Sequence, residues 1–583
     1  MRRAVVAAMV VLVAATFPAV PASAAAAGDV TVVASGLDAP SGVAVGGDGA
    51  VYVTAGDSLL RFGATTGTVA SGLSAPRGIA VVGADVYVAE AAADRISRVP
   101  ASGGAATPAL ATDVDAPTGL ASDGSSLLIA DTNHDRVLRW TPGAAPAEVA
   151  NGLASPTGVA FGAGGSVLIA DTFHGVVRRG STVVAGGGPT ASTCRGDGGP
   201  ANATALTPPT AVAGDGAGNV YVADAGVGRV VRVDAAGRLA TIAVSPFPSA
   251  LAVDGNGDLL IADSVAGTVV RVSSPATAFT APVDRVVGPD RYATAAALSA
   301  QLFPSGGAPV AYLATGERFA DALAASGAAG AAGGPVLLAQ RDVLPDATAA
   351  ELQRLHPARL VVLGGVAAIT DAVADDAATA AGGIGVQRYA GTDRYGTAAA
   401  LSAASFPSSS LAVVVTGDSF ADSLSGGGLA SLSGAPLLLT SSATLPDATA
   451  TELRRLRPAK VVIVGGPNAV SPAVESSVRD ATGGDVQRVA GADRYATSAA
   501  AASTVTSATT LLVATGENFP DGLAAAAAAR KAGGPLLLTP CWDVPTPVRA
   551  ARDRLAPAKT VVVGGVTAVP DRPAALLSSA SAA

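Results

Sequence analysis

The chain has 583 residues, of which 49 % are hydrophobic and 14 % are charged. This balance excludes an intrinsically disordered protein and leaves material for several folded domains. Aromatic residues make up only 4 % of the chain, so the cores must be built from Val, Leu, Ile and Ala. The formal net charge is −8, without the basic excess that is typical of nucleic-acid binding, and we therefore expect no nucleic-acid partner.

The N-terminus has the pattern of a secretory signal peptide. Arg2 and Arg3 form a basic region, residues 4–17 are an uncharged apolar run, and the segment Pro-Ala-Ser-Ala at 21–24 supplies a small-residue cleavage site. The apolar run is short for a membrane span, which needs about 20 residues. We therefore expect residues 1–24 to be removed, leaving an exported protein without a membrane span.

Six copies of a strand-rich unit follow. Each copy begins at a proline and continues with a short apolar strand, a Gly/Asp turn, a second apolar strand and a third strand. The prolines are Pro40, Pro76, Pro117, Pro156, Pro209 and Pro248. A period of about 40 residues is typical of β-propeller blades. The sequence therefore predicts an all-β, six-bladed propeller over residues 25–275.

The two ends of this repeat region complement each other. The last copy stops at Val272 without a fourth strand, whereas residues 29–37 have the same form as the fourth strand at 68–73. We therefore expect the N-terminal strand to complete the last blade and close the ring. Closure hides a sheet edge that would otherwise be open to pairing with other chains.

Five of the six copies also carry an acid after the second strand and an arginine eight residues later. The acids are Glu90, Asp131, Asp171, Asp224 and Asp263, and the arginines are Arg98, Arg139, Arg179, Arg232 and Arg271. These residues could form a ring of ligand groups or could hold the turns. Their recurrence in five blades favours the structural role, because a binding site usually breaks the symmetry of its scaffold.

This region resembles NHL-repeat propellers. The resemblance is carried by Pro-Thr-Gly-Leu at 117–120, Ile-Ala-Asp-Thr-Asn-His-Asp-Arg-Val at 129–137 and Gly-Asp-Gly-Gly-Pro-Ala at 196–201. It implies the scaffold but not the function, because propellers host both binding and catalysis. We expect the propeller to bind a protein or glycan that the sequence does not identify.

An enzymatic propeller is the alternative. His134 and His174 occupy the same turn of neighbouring blades, and some propellers of the NHL-like kind are lyases that use histidine. A propeller lyase or hydrolase would fit this pattern. A metal site would need further ligands, so we assign no metal, no cofactor and no catalytic residue.

A second repeat fills the C-terminal half, after a predicted linker at 276–284. Its three copies span 285–385 (copy 1), 386–485 (copy 2) and 486–583 (copy 3). Each copy contains Asp-Arg-Tyr, an apolar strand that ends in Thr-Gly and an acid, a Phe-x-Asp motif at a helix start, and further apolar strands. Continuous apolar strands that alternate with helices indicate buried parallel sheets, and the sequence therefore predicts three tandem α/β units.

These copies resemble the type 2 cell wall binding repeat of Gram-positive surface proteins. The resemblance implies a pseudo-threefold arrangement and non-covalent attachment to an anionic wall glycopolymer. Gly396 replaces an alanine in copy 2, and Asn518, Phe519 and Pro520 occur together in copy 3 alone. We therefore expect the first two copies to bind less well than the third.

Ligands of open parallel sheets bind beyond the carboxyl ends of the strands. The Thr-Gly-acid turns and the helix-start aspartates lie there. An anionic polymer needs donors, and the planar fork of arginine suits phosphate or carboxylate. The predicted ligand-binding residues are Arg291, Arg394, Arg494, Thr315, Thr416, Thr515, Asp321, Asp422 and Asp521. The alternative is that Asp-Arg-Tyr forms a structural ion pair that fixes contacts between copies.

The chain has two cysteines, Cys194 and Cys541, in different domains. An exported protein can form disulfides, but sequence alone does not say whether these two meet. We expect them to be unrelated. In sum, the sequence predicts a secreted, wall-associated protein whose partners are a wall glycopolymer and an unidentified ligand of the propeller.

Overall fold

The computed structural model describes residues 28–189, 196–277, 283–541 and 543–578. The predicted signal peptide, Cys194 and part of the predicted linker lie outside the described residues. No helix within the described ranges is long and apolar enough to cross a membrane.

In the described part of the chain, residues 30–272 form six four-stranded antiparallel sheets arranged as the blades of a propeller. The strands are β1 (Val30–Ser35), β2 (Gly42–Val45), β3 (Val51–Ala55), β4 (Ser58–Phe62), β5 (Gly67–Ala70), β6 (Pro76–Val82), β7 (Asp85–Glu90), β8 (Arg95–Pro100), β9 (Thr107–Leu110), β10 (Pro117–Ser122), β11 (Leu127–Asp131), β12 (Arg136–Trp140), β13 (Ala147–Ala150), β14 (Pro156–Phe161), β15 (Val167–Asp171), β16 (Val176–Arg179), β17 (Thr182–Gly186), β18 (Pro209–Gly214), β19 (Val220–Asp224), β20 (Arg229–Val233), β21 (Leu239–Val244), β22 (Pro248–Val253), β23 (Leu259–Asp263) and β24 (Thr268–Val272). The prediction of a six-bladed propeller is confirmed.

The first and last strands close the ring. Strand β1 pairs antiparallel with β24, from Val30 opposite Val272 to Ser35 opposite Thr268, and the last sheet has the order β1-β24-β23-β22. The predicted closure by the N-terminal strand is therefore confirmed. It leaves β24 paired on both sides and places the short β1 at the rim.

The blades pack on each other through aliphatic side chains. The second strand of a blade is buried along its whole length, as in β11 and β23. The rings of Tyr87 and Trp140, on the second and third blades, make an edge contact with centroids 5.8 Å apart. The core therefore consists mainly of Val, Leu, Ile and Ala, as the composition indicates.

The recurrent acid at the end of the second strand has a structural role. Asp131 accepts hydrogen bonds from the Asp115 backbone N–H (2.8 Å) and from Arg136 Nε (2.8 Å). The arginine eight residues after the acid pairs elsewhere, since Arg139 binds the turn residue Asp123 at 2.6 Å. The acid therefore links the loop between blades to its own hairpin. Its arginine partner, Arg136, is nearer in sequence than the arginine eight residues after the acid.

Residues 285–578 form three parallel sheets with flanking helices, within the described ranges. The strands are β25 (Arg285–Val286), β26 (Ala311–Thr315), β27 (Val336–Ala339), β28 (Leu360–Leu363), β29 (Val386–Tyr389), β30 (Leu411–Thr416), β31 (Leu437–Thr440), β32 (Lys460–Val464), β33 (Asp485–Val489), β34 (Thr510–Thr515), β35 (Leu536–Thr539) and β36 (Lys559–Val563). The helices are α1 (Arg291–Leu302), α2 (Phe319–Ala332), α3 (Asp346–Leu355), α4 (Asp371–Ala380), α5 (Arg394–Ser405), α6 (Ala421–Ser433), α7 (Asp447–Leu456), α8 (Pro472–Thr482), α9 (Arg494–Ala502), α10 (Pro520–Ala532), α11 (Thr546–Leu555) and α12 (Asp571–Ser578). The predicted α/β class is confirmed.

The sheets are offset from the sequence repeats by one strand. The strand that opens copy 2, β29, pairs with β28 of copy 1, and β33 of copy 3 pairs with β32 of copy 2. Strand β25 of copy 1 pairs with β36 of copy 3, with Arg285 opposite Val562. Each copy therefore completes the sheet of the copy before it, and copy 1 completes copy 3, so that the three sheets form a closed ring.

The three copies meet around a pseudo-threefold axis. Helices α2, α6 and α10 pack against each other there. A Cβ added to Gly327 would lie 2.1 Å from the Ala435 carbonyl oxygen, so this close approach requires glycine. The rings of Phe319, Phe420 and Phe519 contact one another with centroids 5.9, 6.2 and 6.3 Å apart. One phenylalanine from each copy therefore lies at the axis.

The propeller contacts copy 3. The Asp197 carboxylate is buried and accepts hydrogen bonds from the backbone N–H (2.6 Å) and hydroxyl of Thr241. The positive charge of Arg572, on α12 of copy 3, stabilises the ionised form of this carboxylate. The neighbouring Gly198 lies against Val566, whose Cγ2 would be 2.6 Å from an added Cβ. The two domains therefore share a packed interface.

Cys541, at the end of the sheet of copy 3, is buried and disulfide-bonded. Because Cys541 is paired in a disulfide, the expectation of two unrelated cysteines is wrong. The chain has one other cysteine, Cys194, which lies outside the described residues.

Candidate functional site

The aspartate of each Asp-Arg-Tyr motif is a helix N-cap. The side chains of Asp290, Asp393 and Asp493 accept hydrogen bonds from the backbone N–H three residues on, at 2.8, 2.8 and 2.7 Å. A side chain in this position satisfies one of the free N–H groups of the first helical turn. The hypothesis of an ion pair inside the motif is therefore wrong, because the aspartate side chain caps the N-terminus of its own helix.

In copies 2 and 3, the tyrosine of the motif supports the acid of the Thr-Gly-acid turn. The Tyr395 hydroxyl donates to Asp418 Oδ1 at 2.8 Å, and the Tyr495 hydroxyl donates to Glu517 Oε1. Burial and the neighbouring carboxylate raise the pKa of Tyr395 to about 12. The tyrosine therefore stays protonated and positions the turn.

The three threonines hold the same turns from inside. The hydroxyl oxygens of Thr315, Thr416 and Thr515 accept hydrogen bonds from the backbone N–H of the turn acid, at 3.2, 3.1 and 3.1 Å. All three side chains are buried. Their main contribution is therefore to shape the turn, and direct contact with a ligand is limited.

The arginine of each motif lies between two copies. Arg291 donates from Nη1 to the Gly316 carbonyl of its own copy at 2.7 Å, and its guanidinium carbon lies 5.8 Å from the ring centre of Phe519 in copy 3. Arg494 likewise donates to Gly516 at 2.6 Å and lies 5.5 Å from the ring centre of Phe420 in copy 2. The arginine therefore spans the junction to the preceding copy.

The helix-start aspartate comes from the other side of the junction. The Asp521 carboxylate packs against the strand-end Gly564, whose added Cβ would be 2.5 Å from Oδ2. Burial raises the pKa of Asp521 to about 6, against the opposing effect of Arg291. Burial also raises the pKa of Asp321, and there Arg394 of copy 2 opposes it. Each of these aspartates therefore faces the arginine of the next copy.

A cavity of about 300 Å³ opens at the junction of copy 3 with copy 1. Its lining includes three predicted residues from two different copies, Arg291, Thr515 and Asp521. Asn518 and Pro520, which occur in this arrangement in copy 3 alone, also line it. The structure therefore brings the predicted residues together between copies and not within one copy.

Sequence reasoning missed the phenylalanines of the Phe-x-Asp motifs. All three lie at the axis, and Phe519 and Phe420 also lie under Arg291 and Arg494. The recurrence of the motif is the available signal in the sequence. An aromatic face attracts a cation by its quadrupole and fixes the plane of the guanidinium. Phe519 and Phe420 therefore position Arg291 and Arg494.

The charge of Asp521 is expected to make stability depend on pH. The pKa of its carboxyl is about 6 in the folded protein, above the ordinary 3.8, so the folded state loses stability as pH rises from 4 to 6. We predict that Asp521→Asn gains up to about 3 kcal/mol relative to the parent between pH 4 and pH 7.5. Urea unfolding at both pH values measures this, with Asp375→Asn at an exposed site as the control. The same pH profile for the parent and Asp521→Asn would contradict it.

Each of the two propeller histidines contacts an acid of its own blade. His134 Nδ1 lies 2.9 Å from Asp131, and His174 Nδ1 lies 2.8 Å from Asp171, so each contacts the acid of its own blade. Within the described ranges, no group of three or more His, Cys, Asp or Glu side chains is placed to hold a metal ion. The third histidine, His356, ends α3 as a C-cap in the left-handed region.

Comparison with known proteins covers both parts of the chain. The family model "Cell wall binding domain 2 (CWB2)" matches residues 285–374, 388–475 and 488–573. N-acetylmuramoyl-L-alanine amidase LytC of Bacillus subtilis (strain 168) is 28% identical over 288 residues, which are 49% of this chain and 56% of LytC. This chain therefore spans little more than half the length of that relative.

Two solved structures are partly similar to this chain. Cwp6 from Clostridium difficile has a TM-score of 0.48 and 20% identity, over 63% of this chain and 58% of Cwp6. Virginiamycin B lyase from Staphylococcus aureus has a TM-score of 0.32 and 14% identity, over 42% of this chain and 97% of the lyase. By the family model, the C-terminal part of the chain contains three tandem cell wall binding domains of type 2, and a six-bladed β-propeller precedes them.

Proposed function

We propose that the protein is exported, that it attaches non-covalently to the cell wall by binding an anionic glycopolymer at the junctions between its three C-terminal copies, and that it displays the propeller there to bind a further ligand. Export is inferred from the signal pattern at 1–24. The proposed units are the propeller at 25–275, the linker at 276–284 and copies 1 to 3 at 285–385, 386–485 and 486–583.

The free donors of the junction arginines carry this proposal. A guanidinium has five N–H donors, and within the described residues the Arg291 guanidinium has one hydrogen-bond acceptor, the Gly316 carbonyl. Its remaining donors are available to the cavity of about 300 Å³ that it lines. A phosphate or carboxylate of the polymer would accept two parallel hydrogen bonds from such a fork.

The acids at the junction set the conditions for binding. Asp290, Glu517 and Asp521 line the cavity together with Arg291, so ionised acids outnumber the arginine at high pH. Because burial raises the pKa of Asp521 to about 6, this carboxyl becomes neutral in mildly acidic surroundings. It would then donate a hydrogen bond to the polymer instead of repelling it, and wall binding should strengthen as pH falls through 6.

The ring arrangement would add avidity. The three arginines occupy equivalent positions around the axis, each held by the turn of its own copy. A polymer with repeated anionic groups could engage more than one junction, and each further contact would form within an existing complex. Moderate affinity at one junction would then be sufficient for lasting attachment.

Walls with and without their glycopolymers test the proposal. The full chain is expected to co-sediment with purified Gram-positive walls, to remain soluble with walls from which the anionic glycopolymers have been removed, and to be displaced by the free polymer. Equal retention on intact and stripped walls would contradict the proposal, because peptidoglycan would then be the ligand. The alternative, a wall-tethered lyase or hydrolase, stays a prediction, and we assign no catalytic residue to it.

A further inference from the structure

The propeller encloses a cavity of about 580 Å³ around its central axis. It is lined by the first strand of every blade, β2, β6, β10, β14, β18 and β22, near the proline that opens each repeat. This volume lies in the range of about 300 to 1,000 Å³ that small-molecule sites occupy. The cavity is therefore large enough for one small ligand.

Hydroxyl groups from five blades surround this cavity. The residue after the blade-opening proline is serine or threonine in these blades, and its hydroxyl donates to a backbone carbonyl of the next blade. The pairs are Ser41 to Pro76 (2.8 Å), Thr118 to Thr157 (3.1 Å), Thr157 to Thr210 (2.8 Å), Thr210 to Pro248 (2.8 Å) and Ser249 to Pro40 (2.6 Å). The hydroxyls of Thr118 and Thr157 also contact a second threonine hydroxyl, that of Thr132 and of Thr172, each at 2.6 Å. A hydroxyl has one hydrogen, so the oxygens of the ring can offer a ligand only their remaining acceptor lone pairs.

The second blade has Arg77 in this position. Arg77 is exposed and lines the cavity, and it is the one charged residue among the described residues that do so. Its guanidinium has no hydrogen-bond or ion-pair partner in the described parts of the chain. The arginine breaks the pattern of the other five blades, and it places an unpaired cation at a ring of hydrogen-bond acceptors.

The lower wall of the cavity is apolar. Three positions after each opening proline the chain has Val43, Ile79, Leu120, Val159, Val212 and Leu251, all of which line the cavity. A ligand that fits therefore needs one anionic group for Arg77, several hydrogen-bond donors for the hydroxyl ring, and a compact body with C–H surface. An acidic monosaccharide has all three features.

We propose that the central cavity of the propeller binds a sugar acid, whose carboxylate or phosphate pairs with Arg77 and whose hydroxyls donate to the ring of serine and threonine oxygens. The proposal rests on the ligand-binding role given to the propeller under the proposed function, and it is independent of wall attachment. Carboxylate and phosphate share the chemistry that the guanidinium recognises.

Calorimetric titration of the full chain with three sugars tests this inference. Glucuronate carries a carboxylate, glucose 1-phosphate carries a phosphate, and glucose is neutral. We expect at least one acidic sugar to bind with one site per chain and at least about tenfold more tightly than glucose. The Arg77→Thr variant, which extends the hydroxyl ring to the sixth blade, should bind the acidic sugar no better than glucose.

Two further variants separate the propeller site from the wall-binding junctions. Arg238→Thr removes a propeller arginine whose side chain is 71% exposed outside the cavity, and it should bind like the parent. The joint replacement of Arg291, Arg394 and Arg494 by Gln should also leave sugar-acid binding unchanged, even if wall attachment is lost or never existed. Loss of sugar-acid binding in this triple variant would assign the site to the junctions and overturn the proposal.

Two other results would also overturn it. One is equal affinity of the parent for glucuronate, glucose 1-phosphate and glucose, which needs no variant and decides the question even if Arg77→Thr does not fold. The other is parent-like affinity of a folded Arg77→Thr variant for the acidic sugar.

Discussion

Deletion of residues 29–35 is expected to lower the unfolding temperature of the propeller by roughly 10 °C or more. The deletion removes β1, which pairs with β24 at five positions. If each paired position is taken as about one ladder hydrogen bond of roughly 1 kcal/mol, the loss is about 5 kcal/mol, a large part of the stability of an ordinary domain. Strand β24 would also become an open edge, which favours pairing between chains.

The substitution of two exposed valines in the same strand provides the control. Val30 and Val32 have 53% and 66% of their surface exposed, so their replacement by Thr keeps the ladder and removes little buried area. Differential scanning calorimetry of the full chain should show a propeller transition near that of the parent for this variant. A deletion variant that unfolds at the parent temperature would show that β1 does not support the ring.

The architecture could be predicted because the sequence repeats report it directly. Six proline-led units with similar strands predict six blades, and the missing fourth strand after Val272 indicates closure by the N-terminus. The three α/β units follow from continuous apolar strands such as β30 and β32, which are buried on both faces. These features are local, so no knowledge of distant contacts is needed to recognise them.

The exchange of strands between copies could not be predicted. Strand β25 has two residues, Arg285 and Val286, which is too short for a strand pattern in the sequence. Arg285 is fixed by the Gly564 and Val569 carbonyls of copy 3, at 2.9 and 2.8 Å. Contacts across almost 300 residues of chain leave no periodic signal, so the ring closure of the C-terminal part appears only in three dimensions.

The sequence predicts which residues form the candidate site, but it does not predict that they come together from different copies. Arg291 and Asp521 belong to different copies, and the sequence pattern assigns each to its own repeat. Once the first strand of a copy joins the preceding sheet, the arginine that follows this strand must lie at the junction. The offset of the sheets by one strand is thus the physical reason that the site is shared.

Replacement of Arg291, Arg394 and Arg494 together by Gln is expected to weaken wall binding by more than about 100-fold, and each single replacement by less than about tenfold. Each arginine would supply charged hydrogen bonds at one junction. Two intact junctions keep the chain bound when a single one is lost, whereas the triple variant has none.

The triple variant is expected to fold with a moderately lower melting temperature. Each glutamine loses the hydrogen bond from arginine to a turn carbonyl, as at Gly316 and Gly516, at a cost of about 1 kcal/mol per copy. A second triple variant, with Gln at the exposed arginines Arg359, Arg454 and Arg549, has the same net charge. It should bind walls like the parent, because these arginines lie outside the junction cavity.

Co-sedimentation of the parent and both triple variants with purified walls, at a temperature where circular dichroism shows all three to be folded, tests the wall-binding account most directly. The account predicts that the parent and the Arg359, Arg454 and Arg549 variant sediment with the walls, and that the Arg291, Arg394 and Arg494 variant stays in solution. A folded Arg291, Arg394 and Arg494 variant that sediments like the parent would contradict the account.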